Sequence, residues 1–207
     1  MVARVKRIEN AVPKLVAMVL LLGVRVWPAI ALGAYWVNWA SGVGAVPALA
    51  IAAGNSSEAI LAWYLLRRQH ALDVHLGRTN DVFALLLAAA LAPCIAAVLG
   101  GVVYGVNVAG VYDIHAALIW WMGDMTGILV VTPIILVWTK APPRLSGWQW
   151  LELFALILCA AWVSQKIFFD PSRIGDAAYP AALALLPFVV WVALRFGRHG
   201  ATAFSVV

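Results

Sequence analysis

A carboxylate inside an apolar run is the most restrictive feature of this sequence. Asp124 sits in Trp120-Trp121-Met122-Gly123-Asp124-Met125-Thr126-Gly127, within apolar residues 116–138. At ~1.5 Å rise per residue, a helix over that run can cross the ~30 Å hydrocarbon core of a bilayer. An acid there costs ~2.5–3.5 kcal/mol on insertion scales, so it has to face other helices or water rather than lipid. Helical spacing places Trp120, Asp124, Gly127 and Val131 on one face. Gly123 and Gly127 form a GxxxG that lets another helix approach beside the acid. Pro133 frees the carbonyl of Leu129, one turn back. The segment reads as the wall of a polar site in a membrane bundle.

Composition extends this reading to the whole chain, which is 65% hydrophobic and 11% charged. A soluble domain is about half apolar and a quarter charged. No polar stretch is long enough for a separate soluble domain, so residues 1–207 are expected to form one all-α, polytopic membrane bundle. The net charge of +5 is explained by basic residues that set topology, not by nucleic-acid binding. Cys94 and Cys159 lie in apolar segments without metal-ligand spacing, and both are expected to be small buried residues. No cofactor or metal is expected.

Residues 1–14 form a basic N-terminal segment, and 15–24 are apolar but too short to span alone. They carry no small-residue cleavage site of a secretory signal. Further apolar segments follow at 29–42, 46–66, 82–106, 116–138, 148–169 and 177–196, giving about six or seven transmembrane helices. Residues 200–207 read as the first turns of another helix. Thr79, Asn80 or Asp81 is expected to cap the helix at 82, and Leu72 with Leu76 suggests an amphipathic turn before it. Gly101 and Gly105 form a second GxxxG, read as close helix packing. Trp148 and Trp150 suit an interfacial belt. Lys166 and Asp170, four apart, suit an ion pair at the outer surface. The four histidines lie at or beyond helix ends and are read as solvated.

Two acids fall at membrane depth. Glu58 follows Gly54-Asn55-Ser56-Ser57, and Gly54, Ser57, Glu58 and Leu61 share a helical face. Counted from Arg67 and Lys140, Glu58 and Asp124 lie roughly 13 and 24 Å deep at ~1.5 Å per residue. Despite that gap they are expected to face a shared polar cavity with Asn55, Trp120 and Trp121 as candidate ligand- or signal-sensing residues. Two carboxylates there could not both stay ionised without a proton or a cationic partner. The competing reading makes the polar residues structural glue, with Trp120 and Trp121 as interfacial anchors. The sequence holds no HExxH, GxSxG, Walker loop or GxGxxG, and no nucleophile–base pair for an intramembrane hydrolase.

Several stretches together resemble one family, the membrane-associated sensor domain, type one, found at the N-termini of bacterial histidine kinases and cyclic-di-GMP enzymes. They are Arg25-Val26-Trp27-Pro28 with Leu32-Gly33-Ala34; Gly54-Asn55-Ser56-Ser57-Glu58 ahead of Trp63 and Leu65-Leu66-Arg67-Arg68; Trp120-Trp121-Met122-Gly123-Asp124 with Gly127 and Pro133; and Tyr179-Pro180 through Leu186-Pro187-Phe188 to Ala193-Leu194-Arg195-Phe196-Gly197. The resemblance implies a non-catalytic, multi-pass sensory module of the bacterial inner membrane. Its signal would come from a small ligand or a partner membrane protein, and would pass to a cytoplasmic kinase or cyclase output domain. Set against the family's pattern, the chain is expected to start and stop inside it. The alternative is a small transporter with Glu58 and Asp124 as proton or substrate sites.

Orientation follows from charge. Loops after the first, third, fifth and seventh segments hold Arg25, Arg67, Arg68, Arg78, Lys140, Arg144, Arg195 and Arg198, against Arg173 alone in the others. Reporter fusions after Arg68, Lys140 and Arg198 should therefore report cytoplasm, and fusions at Val108 and Ser172 the outside. The opposite pattern at two or more sites would overturn the helix assignment.

Overall fold

Proline and glycine set most of the boundaries in this computed structural model, which describes residues 12–68, 73, 76–105, 112–140, 145–168 and 185–205. Helix α1 (Val12–Leu22) stops at Gly23, whose φ of 89° no other residue adopts without strain. One 3-10 turn (Val24–Val26) leads into α2 (Trp27–Ala40), with Pro28 in its first turn, where a missing N–H costs nothing. Gly42 and Gly44, at φ 84° and 91°, then reverse the chain into α3 (Ala45–Arg67). The result is a tight antiparallel hairpin of α2 and α3.

Thr79–Leu91 forms α4 and Pro93–Tyr104 forms α5, with Ala92 between them. Proline has no N–H to give the preceding turn, so the long apolar stretch is interrupted at that point. The expected cap of α4 falls to Asp81. From the third helical position its carboxylate accepts the Arg78 N–H at 2.9 Å and the Asp73 N–H at 3.3 Å. Leu76 does not continue a helical turn: it has φ 54° and closes a turn by donating its N–H to the Asp73 carbonyl at 2.8 Å. Leu72 lies outside the described residues. Helix α6 (Ile114–Trp138) is capped by Asp113, whose Oδ1 accepts the N–H groups of His115 and Ala116 at 2.9 and 3.2 Å.

Contacts divide the chain into two units, Met1–Leu136 and Val137–Val207. In the first, α3 packs against α1, α2, α4 and α5. Val16, Ala62, Leu66, Leu85, Ala88, Ile128 and Leu136 belong to one apolar cluster drawn from α1, α3, α4 and α6. In the second, α7 (Gly147–Phe168) and α8 (Leu186–Phe204) pack through Leu153, Ala160, Val192, Phe196 and Phe204. Ser146 and Gln149 cap α7 reciprocally, side chain to backbone, at 2.8 and 3.4 Å. Gly197, at φ 61° and ψ −149°, splits α8 into two half-helices. The break falls where the sequence suggests one helix ending at 196 and another beginning at 200. The earlier part of that expected helix, and Asp170 with its expected ion pair, lie outside the described residues.

All regular structure among the described residues is helical, as an all-α membrane bundle requires. Among the described residues, four stretches are long and apolar enough to cross a membrane: Ala45–Arg67, Thr79–Val103, Ile114–Trp138 and Gly147–Ile167. Helices α1 and α2 are shorter, with 11 and 14 residues, and α8 is broken at Gly197. Large apolar side chains such as Leu32, Trp36, Val46, Phe83, Trp148 and Leu194 are exposed, the surface a lipid-embedded chain presents. Cys94 and Cys159 are exposed too, which corrects the expectation of burial. In a bundle whose exterior is as apolar as its interior, a small apolar side chain has no reason to prefer the inside.

A methyl group built on Gly54 would lie 3.3 Å from the Cα of Ala96, whereas one on Gly33 meets nothing within 4 Å. Gly54→Leu should therefore lower stability in detergent by about 1–3 kcal/mol. Gly33→Ala should be neutral or raise it by up to about 1 kcal/mol. Urea or thermal midpoints of the purified variants check both, and equal effects would show that α3 and α5 do not meet at Gly54.

Candidate functional site

Helix α3 is buried almost all the way round at mid-length: Ile51, Ala52, Gly54, Asn55, Ser56, Glu58 and Ala59 are all buried. Small residues make this possible, since they let several helices close on one axis. Ser56 is polar but self-sufficient, because its hydroxyl donates to the Ala52 carbonyl at 2.7 Å. Glu58 has no such local partner. Its side chain is 0% exposed, and neither carboxyl oxygen meets an N–H donor.

The group that answers Glu58 is Asp124, 7% exposed on α6. Asp124 is the group whose charge acts on Glu58. A hydrogen bond between two carboxyl groups requires a proton on one of them. Counted from Leu66 and Leu136, which belong to one apolar cluster, the offset between the two acids is four residues rather than seven, about 6 Å at ~1.5 Å per residue.

The other candidates are distributed around this pair. Asn55 is buried on α3, one turn before Glu58. Trp120, one turn before Asp124, lays its ring on Gly100 of α5, so closely that a methyl group there would collide with the ring. Trp121 donates its indole N–H to the Ala90 carbonyl at 2.9 Å, beside the break at Pro93. Both indoles thus hold α6 against α4 and α5. Gly101 serves the same junction: its carbonyl accepts the Asp113 N–H at 3.3 Å, and a methyl group on it would collide with Tyr112 and Ala117. Gly105 is buried just beyond α5; Gly123, Gly127 and Pro133 are half-buried along α6.

Sequence reasoning passed over several buried polar groups. Asn38 on α2 is buried and donates its side-chain amide to the Ala34 carbonyl at 2.8 Å, leaving its Oδ1 without a donor. The Trp63 indole N–H on α3 is also buried without an acceptor, while its ring carries the Arg67 guanidinium at 5.3 Å. In the second unit, Glu152 accepts the Trp191 indole at 3.0 Å and pairs with Arg195 at 3.4 Å. There too, Trp138 donates to the Thr202 hydroxyl at 3.2 Å and meets the His199 ring edge-on. The pairs of the second unit are far apart in sequence, so the available signal was a polar or indole group in an apolar helix.

Compared with known proteins, the chain matches the family model MASE1, membrane-associated sensor domain 1, over residues 15–207. No curated protein and no solved structure matches it.

The Trp120–Gly100 contact makes a specific prediction. Gly100→Ala should destabilise the folded chain by about 1–3 kcal/mol by forcing the ring aside. In a Trp120→Ala background the same change should cost much less, because the ring is gone. Denaturation midpoints of the four proteins in this cycle provide the check, and additive effects would show that the two residues do not pack together.

Proposed function

We propose, from the premise that the chain belongs to the MASE1 family of membrane sensory domains, that it is a non-catalytic, multi-pass input module of the bacterial inner membrane. The stimulus would bias the packing of α3 against α6, and the bias would pass to a cytoplasmic output domain, a kinase of a two-component system or a cyclic-di-GMP enzyme. The observation that carries this reading is the Glu58–Asp124 contact. It is a polar contact between two helices in an apolar interior, so its strength depends on the state of two side chains. Apolar packing of the same helices has no comparable control. A ligand or partner can shift such an equilibrium only by its differential affinity for the two packings. A contact that changes with charge, water or a bound group offers that difference.

Asn55 belongs to the proposed site as the buried amide next to Glu58. Trp120 and Trp121 contribute by fixing α6 on α4 and α5, which leaves the acid pair as the adjustable contact. The transporter alternative would use the same two acids. It lacks a supporting internal repeat, and membership in a sensory family favours the input module.

The test is a chimera in which this chain is fused in frame to a histidine-kinase transmitter. Glu58→Gln and Asp124→Asn should each change kinase output per molecule several-fold, in the same direction, with membrane-inserted protein near the parental level. Unchanged output per molecule in both variants would overturn the proposal and leave the acids as structural glue.

A further inference from the structure

Proximity alone would make Glu58 and Asp124 a pair of acids; the surroundings of Glu58 make them something narrower. Its carboxyl group is fully enclosed, and both of its oxygens are without a donor from backbone or side chain. The helices around α3 bring few titratable groups. Among the described side chains these are Tyr35 on α2, Asp81 on α4, Cys94 on α5, and His115 and Asp124 on α6, with Tyr64 and Arg67 on α3 itself; Lys14 on α1 and Tyr104 on α5 lie outside the described side chains. Of all these, Asp124 is the one that interacts with Glu58 by charge or hydrogen bond. Among the described side chains, no basic group acts on Glu58.

From this arrangement we infer that Glu58 and Asp124 together bind a single exchangeable proton, and that its presence or absence is the switch between two packings of α3 and α6. The inference deepens the sensory reading and rests on it for its physiological meaning, although proton binding itself does not depend on signalling. With the proton, the carboxyl groups share a hydrogen bond and the helices close. Without it, two like charges stand in contact in an apolar interior, where their repulsion is poorly screened. They must then separate, or admit water or a cation. Asn55 is the buried amide one turn before Glu58 on the same helix. The proton comes from water and returns to it, with no other reactant.

Infrared difference spectroscopy of the full chain in lipid nanodiscs, titrated from acid to alkaline pH, tests this directly. The expected result is one protonated-carboxyl C=O band that shifts in heavy water and is lost as the pH rises. Glu58→Gln should abolish it or move it to a different frequency and titration midpoint. Asp124→Asn should do the same. The double variant, which keeps the shape of both side chains, should lack it altogether. A band unchanged in both single variants, or no titrating carboxyl band in the wild type, would overturn the inference. So would a wild-type band that sodium or potassium abolishes at constant pH, because the pair would then be a metal-cation site. If a single variant fails to fold, the wild-type titration and the double variant still decide. Loss of the band in the variants with no effect on chimera output would keep the proton site and reject the sensory reading; the converse would do the reverse.

Discussion

An acid at the centre of an apolar bundle has to be answered, and in this chain another acid answers it. Lipid offers Glu58 no partner, and the helix backbones around it are already satisfied internally. A lysine or arginine would have neutralised it and locked α3 to α6. On the proposed reading, Asp124 instead makes a contact that holds only while a proton is shared. The bundle is built to bring this contact about. Gly54 lets α5 lie against α3 at Ala96, and Trp120 sits over Gly100 because that position has no side chain. Trp121 holds α6 to the interrupted α4–α5 stretch through the Ala90 carbonyl. Small residues draw the helices together, and indoles set the register of α6.

Much of the architecture was legible in the sequence because prolines, glycines and charges mark helix ends in any solvent. Pro28, the glycines at 42 and 44, Asp113 and Gly197 act where such residues normally do. The two cysteines were misread for a physical reason. The rule that apolar residues go inside depends on water outside, and it fails for a helix that faces lipid. Leu76 was misread because period-four spacing says nothing about a positive φ in a turn closed on Asp73.

The site was legible in part. The cost of burying a charge shows that Glu58 and Asp124 each need a partner, but it cannot show that each is the other's. Counting along helices even argued against it, because it treated the two charged ends as level. The roles of Trp120 and Trp121 were open between stacking and anchoring. Both depend on what lies opposite, at Gly100 and Ala90, and no local pattern encodes that.

Within the second unit, the Trp138 indole donates to Thr202, and the ring meets His199 at 5.5 Å between centroids. Both partners belong to the half-helix that follows Gly197, while Trp191 and Arg195, before it, are held by Glu152 on α7. Gly197 therefore separates a half-helix fastened to α7 from one fastened to the end of α6. A glycine with that φ and ψ is a joint where two anchored segments can turn relative to each other.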